Sequence, residues 1–254
     1  NYEGAIYQVF SSIEQLATML QSKNETERKA KEFLKDTISD ISHQLKTPLA
    51  ALTMYQEIIE SEPENAETVK QFAAKMGISL KRMEQLILSM LKITRLDTGN
   101  IIFEKKSCRV SELIAHSGHE LTARAKNENK QIQIDGDGEQ KLICDMEWTG
   151  EAIGNIVKNA LDHTQVGGIV RITWNRAPAM FQIFISDNGS GIAPEDIHHI
   201  FKRFYRSKHS IDTQGIGLGL PLAKSIIEGQ GGVISVQSES GKGTLFTLSF
   251  LTDL

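Results

Sequence analysis

A helical repeat of apolar residues, interrupted only once, runs from Tyr2 to Asp97 and constrains the fold more than any other feature. In its first part the apolar side chains recur at steps of four and three, which indicates a coiled-coil seam rather than a helix on a globular core. The seam consists of Ile6, Phe10, Ile13, Ala17, Leu20, Leu34, Ile38, Ile41 and Leu45. Polar residues between Leu20 and Leu34 predict a weakened, adjustable stretch of the coil; the alternative is a solvated helix that begins near Glu25.

The interruption is Ser61-Glu62-Pro63-Glu64, a sequence typical of a turn. The helix predicted after it has one apolar face, which consists of Val69, Phe72, Met76, Leu80, Met83, Leu86, Met90 and Ile93. Two long amphipathic helices joined by a short turn predict an antiparallel hairpin. Because both apolar stripes are wide, we expect two copies of the chain to associate as a four-helix bundle.

The sequence changes character near Thr98 to Lys106, which we interpret as a linker. Short β-rich runs, glycine clusters and a few helices then alternate, and this pattern predicts an α/β domain. The predicted strands are Ile132–Ile134, Leu142–Asp145, Ile169–Asn175, Phe181–Ser186, Val233–Ser238 and Thr244–Phe250. The predicted helices are Glu147–His163, Pro194–Ile200 and Leu218–Gly229.

Charge and composition disfavour several classes of protein. Twenty-eight Lys and Arg residues oppose 32 Asp and Glu, so the net charge of −4 does not indicate a nucleic-acid partner or a polybasic membrane surface. Cys108 and Cys144 lie far apart without metal-ligand spacing, which predicts two structural thiols in a reducing compartment. No apolar run reaches the roughly 18 residues of a membrane span, and no signal peptide is evident. The chain opens at Asn1, so we expect an excised, cytoplasmic fragment.

His43 is the first candidate for chemistry. It lies between the seam positions Ile41 and Leu45 and is therefore expected to point toward solvent. Pro48 removes a backbone donor and clashes with the preceding turn, which predicts a kink close to the histidine. Thr47, four residues on, shares the face of His43. A neutral imidazole is a competent nucleophile near pH 7, although an exposed histidine taken alone is usually a bystander.

Asn155 and Asn159 lie four residues apart on one face of a predicted helix whose other face is apolar. Asparagine is a mediocre helix former, so two stacked amides require a polar partner. An amide carbonyl oxygen suits hydrated Mg²⁺. The pair therefore predicts a ligand on this face of the helix.

Three glycine motifs follow. Asp187-Asn188-Gly189-Ser190-Gly191 comes directly after a predicted strand and would let the backbone approach a flat ligand, with a tight turn as the alternative. Gly215-Ile216-Gly217-Leu218-Gly219-Leu220 runs into a helix and offers N–H groups to an anion, but it is neither a Walker loop nor a dinucleotide fingerprint. Gly241-Lys242-Gly243-Thr244 precedes the last strand, and the basic, aromatic segment Phe201–His209 lies between the first two motifs. A β-turn and a solvated loop are the alternatives for these last two segments.

The ordered set H-x-x-x-T-P, N-x-x-x-N, D-x-G-x-G, F-x-x-F, G-x-G-x-G and G-x-G-T resembles the sensor histidine kinases of two-component signalling over nearly the whole chain. The resemblance implies a multidomain protein. Residues 1–30 would form a coiled-coil signalling helix, and residues 31–98 the dimerisation and histidine phosphotransfer domain. Residues 107–254 would form the catalytic ATP-binding domain of the GHKL (Bergerat) superfamily, an α/β two-layer sandwich with a mixed sheet and helices on one face. A homodimer, in a full-length protein of the cell membrane, is also implied.

By this resemblance the chain binds ATP and Mg²⁺, phosphorylates His43 and passes the phosphoryl group to an aspartate of a response-regulator receiver domain. Asn159 would hold Mg²⁺ with Asn155 beside it, and Thr47 would position water to dephosphorylate the regulator. Asp187 would accept a hydrogen bond from the adenine amino group, while glycines beside it let the base lie close. The remaining nucleotide-binding residues would be Gly189, Gly191, Arg203, Arg206, Lys208, Gly215, Gly217, Gly219, Leu220 and Thr244.

The chain departs from relatives at two positions. Gln44 replaces the acidic residue that often follows the phosphoacceptor; it can orient the imidazole but cannot take its proton, so the base is unassigned. Asp162 stands where many relatives have lysine, which removes a phosphate contact. A non-enzymatic signalling scaffold is one alternative. A Bergerat-type ATPase or serine-directed kinase is another, disfavoured because Asn155 replaces the glutamate of relatives that hydrolyse ATP.

Overall fold

The computed structural model of the chain describes residues 2–207 and 215–252. Two compact units are present, Asn1–Met83 and Glu84–Leu254. Helix α1 (Tyr2–Ser61) and the first part of helix α2 (Ala66–Asp97) form the first unit. Helix α1 is unbroken through the polar stretch and through Pro48, so the alternative of a new helix beginning near Glu25 is wrong.

The predicted turn between the helices is confirmed. Asn65 caps α2, because its Oδ1 accepts a hydrogen bond from the backbone N–H of Thr68 at 3.2 Å. The carboxylate of Glu62 accepts from the Thr68 hydroxyl at 3.1 Å and from Asn65 Nδ2 at 3.2 Å. Beside the turn the rings of Tyr55 and Phe72 pack with centroids 5.6 Å apart, so the two helices contact each other in this unit.

The second unit contains the end of α2 and an α/β fold. Its strands are β1 (Lys106–Arg109), β2 (Gln131–Asp135), β3 (Lys141–Cys144), β4 (Ile169–Arg176), β5 (Met180–Asp187), β6 (Val233–Glu239) and β7 (Gly243–Leu251). Its further helices are α3 (Val110–Asn127), α4 (Met146–His163), α5 (Pro194–Ile197) and α6 (Gly219–Gly229).

Five strands form a mixed sheet in the order β2-β4-β5-β7-β6, in which β2 and β4 are parallel and the other pairs antiparallel. Strands β1 and β3 form a separate two-stranded antiparallel ribbon. Alternate residues of the strands are buried on one face of the sheet. Helices α3, α4 and α6 pack on this face and contribute the other half of the core. The central side chains of this core are Ile153, Ile156, Leu161, Phe181, Ile183, Ile185, Leu222, Phe246 and Leu248. The predicted fold is confirmed: a helical region is followed by an α/β two-layer sandwich.

The observed elements differ from the predicted ones in three respects. Strand β1 and helix α3 were not predicted, and α5 ends at Ile197 rather than Ile200. The chain after α5 continues in tighter turns, because His199 N donates to Asp196 O at 2.7 Å in an i to i−3 bond. Each of the six predicted strands is present, and no end differs from the prediction by more than about one residue.

The two units meet in sequence inside α2 rather than at the predicted linker. The reason is local packing of the chain after Glu84. Lys92 forms an ion pair with Glu151 of α4 at 2.5 Å, and Phe103 packs edge-on against Trp148 with centroids 6.1 Å apart. Among the helices of the described residues, none is both long and apolar enough to cross a membrane.

Candidate functional site

Buried polar contacts fix the start of α4, the helix that carries the two predicted amides. Asp145 caps the helix by accepting from Trp148 N at 3.2 Å, and its other oxygen accepts from Glu104 N at 2.9 Å. Asp145 N donates to Gln230 Oε1 at 2.7 Å, and Gln230 Nε2 donates to the Thr149 hydroxyl at 2.9 Å. Sequence reasoning missed this network, although an aspartate between a strand and a helix is a capping signal.

Asn155 and Asn159 lie on one face of α4, as their spacing predicts, and both are half-buried. Asn155 Nδ2 donates to the carbonyl of Glu151 at 3.0 Å. Its Oδ1 faces α6, where a Cβ added to Gly219 would lie 3.1 Å away. The side chain of Asn159 makes no hydrogen bond to any residue that the structure describes. Its carbonyl oxygen and amide are therefore available to a ligand.

Asp187 is the last residue of β5 and pairs in register with Thr244 of β7. Burial raises the pKa of the Asp187 carboxyl above its ordinary value of 3.8, while hydrogen bonds from the backbone N–H groups of Gly189 and Thr244 oppose the rise. The bond from Gly189 N to Asp187 Oδ1 measures 2.9 Å. The carboxylate is thus partly desolvated and fixed in direction, which suits it to accept a hydrogen bond from a ligand N–H.

The loop after β5 packs against backbone on both sides. A Cβ at Gly189 would lie 2.3 Å from the carbonyl oxygen of His163, at the end of α4. A Cβ at Gly191, whose φ is +66°, would lie 2.1 Å from the carbonyl oxygen of Glu239, the last residue of β6. Glycine is therefore required at these positions by the fold itself. Their predicted role beside an adenine base stays a prediction.

Ser238 connects this loop to the turn before β7, and sequence reasoning missed it. Its Oγ accepts from Ile192 N at 2.8 Å and donates to the carbonyl of Gly243 at 2.8 Å. Thr244 is buried, with 8% of the residue exposed, and its hydroxyl lies 3.0 Å from the same Oγ. Only the strand register, which pairs Ser238 with Thr244, could have revealed the contact.

The glycine motif before α6 packs on the basic, aromatic segment that precedes it. The carbonyl of Gly217 accepts from Phe204 N at 2.9 Å, and the φ of Gly217 is +74°. A Cβ there would lie 2.8 Å from the backbone of both Phe204 and Tyr205. Gly219 and the half-buried Leu220 begin the first turn of α6, whose leading N–H groups lack partners within the helix, and Gly219 lies against Asn155 of α4.

The predicted cations are only partly placed by the structure. Arg203, on the segment after α5, forms an ion pair with Asp97 at the end of α2. Arg206 is exposed, and Lys208 lies outside the described residues with most of the predicted lid. Asp162 pairs with Arg124 of α3 at 2.5 Å, so its carboxylate belongs to a structural contact.

A shallow cavity of about 450 Å³ opens at the ends of β5, β6 and β7. Asp187 and Thr244 line it, but so do Ser186 and Leu245, which alternate with them and face away from α4. The cavity therefore lies at the strand ends rather than between the sheet and α4.

His43 belongs to the other unit and lies exposed on α1, as the seam predicts. Thr47 is also exposed, Gln44 is half-buried and Pro48 is buried. The imidazole makes no hydrogen bond within the part of the chain that the structure describes, so both ring nitrogens are open to an incoming group.

Comparisons with known proteins match both units. Residues 33–99 match the family described as the His Kinase A (phospho-acceptor) domain. Residues 144–253 match the family of histidine kinase-, DNA gyrase B- and HSP90-like ATPases. Together the two matches include His43 and every predicted nucleotide-binding residue.

Two curated relatives are equally similar in sequence. Sensor-like histidine kinase SenX3 of Mycobacterium tuberculosis is 30% identical over 217 residues, which cover 85% of this chain and 53% of the relative. Sensor protein SrrB of Staphylococcus aureus is 30% identical over 217 residues, which cover 84% of this chain and 37% of the relative. The chain thus spans about half the length, or less, of the curated relatives it matches.

A solved structure of histidine kinase ThkA, in complex with response regulator protein TrrA, superposes with a TM-score of 0.72 at 20% identity. The alignment covers 91% of this chain and 66% of that one, and at this identity it shows the shared fold. Fold, motifs and both family matches agree. The chain belongs to the sensor histidine kinases, with a His Kinase A region followed by a GHKL-type ATP-binding domain.

Proposed function

We propose that this chain transfers the γ-phosphoryl group of Mg·ATP to His43 and then donates it to an aspartate of a response regulator. The observation that carries the proposal is the half-buried side chain of Asn159, which has no hydrogen-bond partner among the described residues. It lies on the α4 face where Asn155 meets the start of α6. The prediction that the full-length protein lies in the cell membrane stays a prediction.

The adenine end of the proposed site is Asp187. Its carboxylate is partly desolvated and oriented by Gly189 N. It can therefore select a base that carries an exocyclic amino group over a base that lacks one. The triphosphate would extend from there toward α6, where the N–H groups of the first helical turn favour negative charge. Asn155, which lies against Gly219, marks where α4 meets that turn.

The residues present also fit a magnesium ion. Mg²⁺ is usually held by one or two protein oxygens together with substrate phosphates and water, and the Asn159 carbonyl oxygen supplies one such ligand. In the part of the chain that the structure describes, no cluster of three His, Cys, Asp or Glu offers an all-protein site. When bound, Mg²⁺ supplies neutralisation of the charge on the transferred phosphoryl group.

Transfer to histidine rather than to water follows from the acid–base groups on α4. Asn155 cannot act as a general base, and Glu151, one turn earlier, forms its ion pair with Lys92. His43 is exposed and can attack the γ-phosphorus through a neutral ring nitrogen. As one ring nitrogen attacks, the other ring nitrogen of His43 releases its proton. Gln44 cannot accept this proton, so the proton passes to solvent.

We also propose that the active form is a homodimer. Apolar side chains of the helices remain exposed in one chain; Leu34 is 57%, Ile38 55% and Leu80 56% exposed. Leu34 and Ile38 belong to the predicted seam, and a second copy is the partner that a self-complementary stripe fits. Monomeric proteins rarely expose large contiguous apolar patches.

The regulator would dock on the helices near His43, and the chain would also dephosphorylate it. Thr47 is exposed one turn from His43, where its hydroxyl can orient water for attack on a phosphoaspartate. The ThkA structure, solved with the response regulator TrrA, is the related example of such a partner.

The test of the autokinase is incubation with γ-labelled ATP and Mg²⁺, followed by acid and alkali treatment of the protein. We expect label that is acid-labile, alkali-stable and absent in His43→Gln. His198→Gln, which changes an exposed histidine of the α/β unit, is the matched control and keeps the label. Label that survives acid, or that persists in His43→Gln, contradicts the proposal and favours a serine-directed kinase. No label despite nucleotide binding favours a scaffold.

A further inference from the structure

The two cysteines of the chain, far apart in sequence, meet in the β1–β3 ribbon. Cys108 Sγ and Cys144 Sγ are 3.5 Å apart. The register pairs Cys108 with Leu142 and Lys106 with Cys144, so the cysteines are diagonal neighbours across the two strands. Both cysteines are free thiols, and their contact was not predicted because the pairing of β1 with β3 was not predicted.

The two thiols have unequal surroundings. Cys108 is half-buried, whereas Cys144 is only 1% exposed. A hydrogen bond from the Cys144 thiol lowers the pKa of Cys108 to about 7. The same bond, together with burial, raises the pKa of Cys144. Cys108 thus supplies a nucleophilic thiolate near neutral pH, while Cys144 stays protonated beside it.

We propose that Cys108 and Cys144 form a redox-active dithiol, which low-molecular-weight disulfides oxidise reversibly to an intramolecular disulfide. The Cys108 thiolate attacks one sulfur of the small disulfide, forms a mixed disulfide and releases one small thiolate. Cys108 then no longer carries the charge that opposes ionisation of Cys144. Cys144 loses its proton to solvent, and its thiolate attacks Cys108 Sγ and displaces the second small thiolate. The dithiol gives up two electrons, and the small disulfide is reduced to two thiols.

Closing this bond moves the ribbon. The sulfurs must approach from 3.5 Å to about 2.05 Å. Diagonal Cα atoms of an antiparallel pair are about 7–8 Å apart, whereas disulfides usually span at most about 6.8 Å. Strand β1 has four residues and, within the described part of the chain, pairs only with β3, so it can shift toward its neighbour.

The shift reaches the start of α4. Cys144 directly precedes Asp145, whose carboxylate caps α4 through Trp148 N and holds Glu104 N. Formation of the disulfide itself does not depend on the proposed kinase activity. Its chemistry can therefore be measured on the protein directly, without nucleotide.

The test uses the folded 254-residue chain, which has two cysteines. It is incubated with oxidised glutathione near neutral pH, quenched in acid, unfolded, alkylated and weighed intact by mass spectrometry. We expect a monomer two hydrogen atoms lighter than the reduced chain, carrying neither alkyl group nor glutathione, and restored by dithiothreitol. In Cys144→Ser the reaction is expected to stop at a Cys108–glutathione mixed disulfide, and Cys108→Ser is expected to react far more slowly.

Three results would overturn the proposal: wild-type chain that remains fully alkylated, wild-type chain that accumulates only the mixed disulfide, and covalent dimers as the main product. Hydrogen exchange adds a structural measurement. Oxidation is expected to change protection of the Trp148 amide in wild type and to leave it unchanged in Cys144→Ser. Equal protection in reduced and oxidised wild type would contradict the coupling of the dithiol to α4.

Discussion

Gly219, the first residue of α6, lies against Asn155 of α4: a Cβ at position 219 would come within 3.1 Å of Asn155 Oδ1. Asn155 cannot retreat freely, because its Nδ2 donates to the carbonyl of Glu151 at 3.0 Å. The contact joins the asparagine pair to the glycine motif before α6, 64 residues later in the numbering, at the point where the proposed triphosphate would lie.

Gly219→Ala is expected to weaken ATP binding several-fold while the domain stays folded, because the methyl group displaces the Asn155 amide by a few tenths of an ångström. Alanine is also the better helix former, which partly offsets the crowding in the free energy of unfolding. Calorimetric titration with ATP and urea unfolding measure the two effects. Gly154→Ala is the control, since its Cβ meets only Ser117 O at 3.6 Å. Equal ATP affinity in Gly219→Ala and Gly154→Ala would contradict the prediction.

Asn159→Ala is expected to abolish autophosphorylation and leave the fold intact. The side chain has no hydrogen bond to lose within the described residues, and alanine is the better helix former. Loss of a metal ligand should lower autokinase activity by more than the roughly 10–100-fold that is typical when an outer-shell partner of a metal ligand is removed. Magnesium-dependent labelling is the measurement, and circular dichroism checks the fold. Lys158→Ala, an exposed neighbour on α4, should label normally. Retained Mg²⁺-dependent label in Asn159→Ala would remove the residue from the metal site.

Arg203 has two candidate partners, Asp97 and the triphosphate. The structure pairs it with Asp97, so Asp97→Asn, which removes this ion pair, is expected to raise ATP affinity by up to about fivefold, the worth of a partly exposed ion pair. Arg203→Ala is expected to lower it. Glu104→Gln, which breaks the exposed pair with Lys106, controls for loss of one negative charge. If neither Asp97→Asn nor Arg203→Ala changes ATP affinity, Arg203 is a structural residue only.

The positions of the candidate site residues were predictable where a local sequence period places them. Asn155 and Asn159 are four residues apart on a helix, and Asp187 ends a strand that alternates clearly, so short-range rules place them. Gln230 was missed because its partner is distant in sequence; the bond from Asp145 N to Gln230 Oε1 spans 85 residues. Ser238 was missed because its contact with Thr244 depends on the register of β6 and β7, and its bond from Ile192 N spans 46 residues. The local period of apolar residues carries no information about contacts of this kind.

The elements that were missed have weak local signals for identifiable reasons. In α3 the buried residues Val110, Leu113 and Ile114 occupy one end and Ala125 the other, and Leu121 is the one large apolar residue among the small and polar residues between them. In β1 three of four residues are exposed, so nothing alternates until β3 pairs with it. The approach of Cys108 to Cys144 depends on that pairing and could not be predicted without it.

Asp187→Asn is expected to weaken ATP binding by about 1.5–3 kcal/mol, the typical worth of a hydrogen bond to a charged group. The substituted side chain can still accept from Gly189 N through its amide oxygen, which then turns its amide donor toward the adenine amino group. Calorimetric titration gives the affinity. Asp135→Asn, at the exposed end of β2, is the matched control and should bind ATP as wild type does. Unchanged affinity in Asp187→Asn would remove the carboxylate from the adenine site.

The same substitution is expected to stabilise the protein without nucleotide, in a pH-dependent way. Burial raises the pKa of Asp187 above 3.8, so the folded state binds this proton more tightly than the unfolded state. The contribution of Asp187 to stability is therefore present below pH 3.8 and is lost as pH rises through the raised folded value. An asparagine amide does not titrate; relative to wild type, the stability of Asp187→Asn should increase across this window and stay constant above it. Urea unfolding at several pH values from about 4 to 7 measures the difference, with Asp135→Asn as reference. A difference that shrinks as pH rises would mean that the folded carboxylate gains more from the N–H groups of Gly189 and Thr244 than it loses by burial.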